Sequence, residues 1–296
     1  MGEQQSIQQQ FISEIADSIF QQSVNGKDTE EQCFFKLRFD PENYELNNKN
    51  DSKNNDQSDI VGLMKEFNKY PSNIQRLQTK NVIAALVNKY EQEMEADQID
   101  INRIRNPKRG DKGIWKEVYN WLWNYQFPRY LWEKLRKEAD KKNQDWIRFV
   151  DDSSLVSSER EFIIKTAKKE PKTIPINQSL DLEIKVDPDY CNYHLLLFNQ
   201  NLKGFHLICP TEIFAPKSQI EETPWSMPTE GSIEFITTGT EEFLGIVIEQ
   251  PLELEWLKLS ENLQFEPKHL VKLWEQLEKN QNWRLFYQSF EVIEAP

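Results

Sequence analysis

At about residue 172 the spacing of apolar residues changes, and that change constrains the fold more than any single motif. Before it, apolar side chains recur at helical intervals. Phe11, Ile12, Ile15, Ala16, Ile19 and Phe20 make one broad face; Ile74, Leu77, Val82, Ala85, Leu86 and Tyr90 make another. After it come short runs such as "TIPINQSLDLEIKVD", "YHLLLFNQ", "GFHLICP", "GSIEFITTG" and "EEFLGIVIE", bounded by Pro, Gly, Asn and Asp. Runs of this kind at regular spacing predict a β-sandwich. The fold class read from the chain is therefore α+β. An α-helical N-terminal domain over 1–160 precedes a small antiparallel β-sandwich with a C-terminal helix over 172–296, the boundary falling in 150–172. A chain of 296 residues is long enough for two domains of ordinary size.

Local patterns divide the first half further. "CFFKLRFD" alternates Cys33, Phe35, Leu37 and Phe39 with Phe34, Lys36, Arg38 and Asp40, which predicts a strand. Residues 42–59 are rich in Asn and Asp and read as a disordered loop. Helices are expected at about Ser58 to Tyr70, Ile74 to Met94 and Ser158 to Glu170. In the second half, "FNQNLKGF" reads as a hairpin turn centred on Asn201 and Leu202, which sets 194 opposite 209. The tail "EPKHLVKLWEQLEKN" predicts an amphipathic helix, and "WRLFYQSFEVIE" a last strand.

The segment "GIWKEVYNWLWNYQFPRYLWEKLRKEADKK" gathers Trp115, Trp121, Trp123 and Trp132 with four other aromatic rings. Either the rings stack on nucleic acid bases or they fill the inside of a helical hairpin divided at Phe127-Pro128. Ile114, Val118, Trp121 or Leu122, and Tyr125 make one stripe, and Trp115, Tyr119, Leu122 and Trp123 widen it across most of the circumference, which favours a buried core.

Charge is unevenly placed. The chain carries a formal net charge of -13, yet residues 102–148 hold thirteen Lys and Arg against six Asp and Glu. In "INRIRNPKRGDKG" the breakers Pro107, Gly110 and Gly113 predict a basic surface turn. Arg103, Arg105, Lys108, Arg109 and Lys112 are its candidates for contact with an anionic partner.

Catalytic signatures are absent. No G-x-G-x-x-G and no Walker-type phosphate loop occurs. "DSKNNDQSD" lacks the Gly and Glu of a calcium loop. His194 with Cys209 suggests a dyad, and Cys191, His194, His206 and Cys209 suggest zinc. Strand alternation, however, sends residues three apart to opposite faces. No catalytic residue, metal ligand or cofactor is therefore assigned. Three scattered cysteines suit a reducing cytoplasm, and no window is apolar enough to span a membrane. "MGEQQS" fits a myristoylation pattern too short to carry weight.

Residues 172–255 carry a more specific pattern. An aromatic-rich strand ends in Phe198-Asn199, and a Gly turn leads to a second strand ending in "LICP". A loop with Pro228 follows, and Gly239-Thr240-Glu241 opens an apolar strand. This pattern resembles the bacterial domain of unknown function appended to caspase-like proteases and Ser/Thr kinases in cyanobacteria. It departs from that family at Asp189-Tyr190-Cys191, where a Gly-Tyr step is usual, and at Thr238, where Pro is usual. The resemblance implies a non-enzymatic recognition module. The expectation is a cytoplasmic adaptor in a bacterial signalling or defence assembly, contacting another protein, an effector or signalling enzyme. A nucleic-acid-binding regulator using residues 102–148 is the alternative.

Overall fold

The computed structural model describes residues 6–20, 28–44, 75–108, 114–139, 145–151, 173–228, 231–258, 267–280 and 282–294. The expected helices at 58–70 and 158–170, most of the 42–59 loop and the 152–172 part of the domain boundary lie outside them. The fold is α+β, and the chain forms two compact units, Met1–Tyr130 and Leu131–Pro296.

The first unit is helical. Helix α1 (Ile7–Ile19) starts at a capping box in which Ser6 and Gln9 bond each other's backbone. Helix α2 (Glu30–Phe39) starts the same way with Thr29 and Gln32, has Glu30 and Glu31 in its first turn, and has Lys36 and Arg38 in its last. The predicted strand at "CFFKLRFD" is therefore a helix. The alternation misled because this helix is buried on more than one side, Phe34 and Arg38 as well as Cys33, Phe35 and Phe39, so no one-sided helical period shows in the sequence. The i,i+4 rings of Phe35 and Phe39 stack at 4.8 Å, as helix geometry requires.

Helices α3 (Gln75–Lys89), α4 (Glu91–Ala96) and α5 (Ile101–Arg105) follow. Arg103 and Arg105 thus sit in a short helix capped by Asp100, where a turn was expected. The Trp segment runs as α6 (Ile114–Trp121), a π-turn (Leu122–Gln126) and α7 (Phe127–Glu138) without interruption. No hairpin divides it. The backbone N–H of Phe127 donates to the Leu122 carbonyl, one residue further back than in an α-helix. Pro128 has no N–H, and its ring would crowd the carbonyl four residues earlier; the wider turn accepts both defects.

The rings of this segment are mostly core. Trp115, Trp121, Leu122, Trp132 and Leu135 are all buried. Within the first unit, Phe11 packs between Trp123, Phe127 and Tyr130 at 5.1–5.4 Å. Trp121 Nε1 donates to Asp97 at 2.8 Å, and Arg129 grips the same carboxylate with two bonds of 2.6 and 2.8 Å. Trp123 Nε1 donates to the Phe39 carbonyl at 3.0 Å. A ring whose polar tip and face are both engaged has nothing left to offer a base.

Among the described residues, the second unit contains two sheets. Strands β1 (Ile147–Asp151), β6 (Trp225–Met227) and β7 (Ile233–Glu234) all pair with β3 (Ser179–Ile184). The other sheet has the order β2 (Thr173–Pro175), β9 (Trp283–Ile293), β8 (Gly239–Ile248), β4 (His194–Asn201), β5 (Gly204–Cys209). Inward residues of both share one core, including Leu182, Ile184, Met227, Leu195, Leu197, Val247 and Phe286. This is a sandwich, though not a purely antiparallel one: β2 runs parallel to β9, a pairing that the long intervening chain permits. Residues 147–151, counted with the helical half from sequence, are an edge strand here.

The hairpin turn is Leu202-Lys203, with Asn201 opposite Gly204, whose φ of 121° favours glycine. The register therefore differs from expectation: Asn199 faces His206, and Leu197 faces Cys209 after a bulge at Ile208. The predicted C-terminal helix is α8 (Pro267–Lys279). Among the described residues no helix is long and apolar enough to cross a membrane.

Candidate binding pocket at the rim of the sandwich

Strand parity builds the site. Along β4, Leu195 and Leu197 point into the sandwich, so Asn199 and Asn201 point the same way. Along β8, Phe243 and Val247 point inward, and so does Glu241. The interior thus turns from apolar to polar at one end. There a pocket of about 540 Å³ opens, lined by these three residues, by His206 and Lys203, and by the 233–237 segment opposite.

Glu241 and Asn199 are each only 6% exposed. Asn199 Nδ2 donates to Glu241 Oε2 at 2.7 Å, and Asn201 Nδ2 reaches both carboxylate oxygens at 3.2 Å. Asn201 is fixed in turn by the Lys203 N–H, which donates to its Oδ1 at 2.9 Å. The rim is apolar and exposed: Ile213 and Ile236 line the pocket with 56% and 66% of their surfaces in solvent. Leu202, 90% exposed, stands between the lining residues Asn201 and Lys203.

The neighbouring Glu242 points to the other face of β8 and is differently served. It accepts from Tyr287 Oη at 2.6 Å, Arg136 Nη1 at 3.1 Å and Trp132 Nε1 at 3.3 Å. Burial, with the hydrogen bond to Glu242, pushes the Tyr287 hydroxyl well above the usual tyrosine range.

The cysteine and histidine constellations do not assemble. His194 lies opposite Ile248, its Nδ1 2.9 Å from Ser218 Oγ, and burial lowers its pKa. Cys209 Sγ contacts the Leu195 and Lys217 carbonyls at 3.6 Å, and burial drives its pKa far up, so the nucleophilic thiolate is suppressed. His206 lines the pocket, apart from both. Among the described residues no group of three or more His, Cys, Asp or Glu is placed to hold a metal ion.

The predicted anionic-partner residues are partly engaged already. Arg103, Arg105 and Lys108 are exposed. Arg105 holds Glu91 at 2.6 and 2.8 Å and Asn88 at 3.2 Å, which lowers the Glu91 pKa; Arg103 holds Glu117 at 3.2 Å. Arg109 and Lys112 lie outside the described residues.

Sequence reading missed Asn199, Asn201 and Glu241 as a group. Their signal was present: three polar residues at inward parity on strands whose other inward residues are apolar. Two of them close the Phe-Asn and Gly-Thr-Glu steps on which the resemblance of residues 172–255 rests. Comparison with protein-family models, with curated proteins and with solved structures returned no match.

Proposed function

We propose that the chain is a non-enzymatic adaptor that recognises another protein through the rim pocket of its sandwich. One observation carries this reading: exposed Ile213 and Ile236 surround a concavity whose floor is a buried, hydrogen-bonded polar cluster. Apolar side chains at the lip supply contact area, and fixed polar groups within supply selectivity. The pocket holds Glu241 between two amides that donate to it, an arrangement suited to holding a group in place. The partner in this reading is an effector or signalling enzyme of a bacterial signalling or defence assembly, a setting that rests on the resemblance of residues 172–255 alone.

The nucleic-acid alternative draws its support from the exposed basic segment, but Arg103 and Arg105 are engaged by Glu117 and Glu91. Capture from native-host extract tests the two together. The full-length protein retains a partner that the double variant I213D/I236D loses, and shows no mobility shift with single-stranded nucleic acid at low salt. A salt-sensitive shift with nucleic acid, together with capture indifferent to the rim substitutions, overturns the adaptor reading.

A further inference from the structure

Given the recognition role proposed above, the geometry points to the ligand class: we infer that the pocket takes an organic cation, a primary ammonium or guanidinium on an apolar stem. It rests on the surroundings of Glu241. Burying a carboxylate costs free energy unless its hydrogen bonds and its charge are both answered. The amides of Asn199 and Asn201 answer the first. Nothing answers the second: among the described residues no cationic side chain forms an ion pair with Glu241, although Lys203 and His206 line the same pocket. Glu242, one residue along, shows the alternative, since Arg136 meets its charge directly.

The hydrogen bonds single out one carboxylate oxygen for the cation. Glu241 Oε2 accepts the short bond from Asn199 as well as one from Asn201, while among the described residues Oε1 accepts only the 3.2 Å bond from Asn201. Oε1 therefore keeps a lone pair for a further donor. The same pocket is lined in part by Ile208, Phe214, Phe235 and Phe243, which offer an apolar stem its contacts. An aliphatic chain ending in a charge matches this combination of a buried carboxylate and apolar walls. Lysine and arginine side chains have that form, and so do free alkylamines; their shared chemistry is what the pocket selects.

The test follows the Asn199 and Asn201 side-chain amide resonances of the full-length protein during titration. The probes are Nα-acetyl-arginine methylamide, Nα-acetyl-lysine methylamide, n-butylammonium and, as the neutral control, Nα-acetyl-norleucine methylamide. Saturable shifts are expected with the cations and not with norleucine. The E241Q variant, folded with its melting temperature kept, weakens cation binding by roughly thirty-fold or more. Tighter binding of the capped amino acids than of n-butylammonium marks a protein side chain as the source, and the reverse order marks a free amine. Equal shifts with norleucine, no shift with any probe, or cation binding unchanged in E241Q overturns the inference. Should partner capture depend on Ile213 and Ile236 but not on Glu241, the adaptor role stands and the cation inference alone fails.

Discussion

Gly245 shows how closely the sandwich interior is fitted. A Cβ at this position would lie 2.7 Å from Trp146 Cη2 and 2.8 Å from Cζ3, inside any tolerable contact. Trp146 is fully buried and tilts against Phe286 at 5.6 Å, so it has little room to retreat. Gly245→Ala should therefore destabilise the protein by about 1–3 kcal/mol, read by denaturant unfolding with an unchanged m-value. Buried acids set a second residue-level expectation. Cys209, Tyr119 and Tyr287 all have folded pKa values raised by burial. Above their unfolded values the unfolded chain binds fewer protons than the folded one, so stability falls as pH rises. The decline should begin near pH ~8.5 with Cys209 and steepen above ~10 with the tyrosines. Cys209→Ala should remove its first part. His194, with its pKa lowered, acts in the opposite sense: it withdraws stability as pH falls below ~6.5. Iodoacetamide should alkylate Cys209 only after unfolding.

At the scale of elements, legibility depended on which local signal was given weight. Helices α1 and α8 were readable because one face of each is apolar and the other is not, and the strands β4, β5 and β8 because each is a short, largely apolar run bounded by turn residues. Helix α2 was not, because it is buried on both sides and its period is therefore erased. Thr29-x-x-Gln32 and the ordering of its charges still announced a helix. Thr29→Ala should cost about 1 kcal/mol, with Thr29→Ser nearly neutral, measured by thermal unfolding and helical circular dichroism. The π-turn had a cue in Pro128, yet proline marks a helix break as readily as a first helical residue, and only packing decided for continuity. The pocket was hidden by a register error. With the turn placed at Asn201-Leu202, His194 and Cys209 drew attention; with the observed turn, Asn199 and His206 face each other at the pocket instead.

For the whole molecule, the unit Leu131–Pro296 includes most of α7, a helix that sequence assigned to the other half. Trp132 meets Phe205 edge-on at 5.1 Å, and Arg136 lies 5.3 Å from the Tyr287 ring while bonding Glu242. A fragment of residues 127–296 should therefore unfold cooperatively. One of residues 145–296 should be weaker by roughly 3–5 kcal/mol, the loss of one large buried ring. The net charge of -13 fits a pocket that selects cations, because long-range attraction raises the encounter rate of basic partners at low salt. Recognition through the rim is the central claim, and site-specific photo-cross-linking in native-host cells tests it most directly. A photoreactive residue at position 213 or 236 should yield one dominant adduct with another protein, absent when the probe sits at exposed Glu275 on α8. No adduct at either rim position, or the same adducts from position 275, would contradict the account.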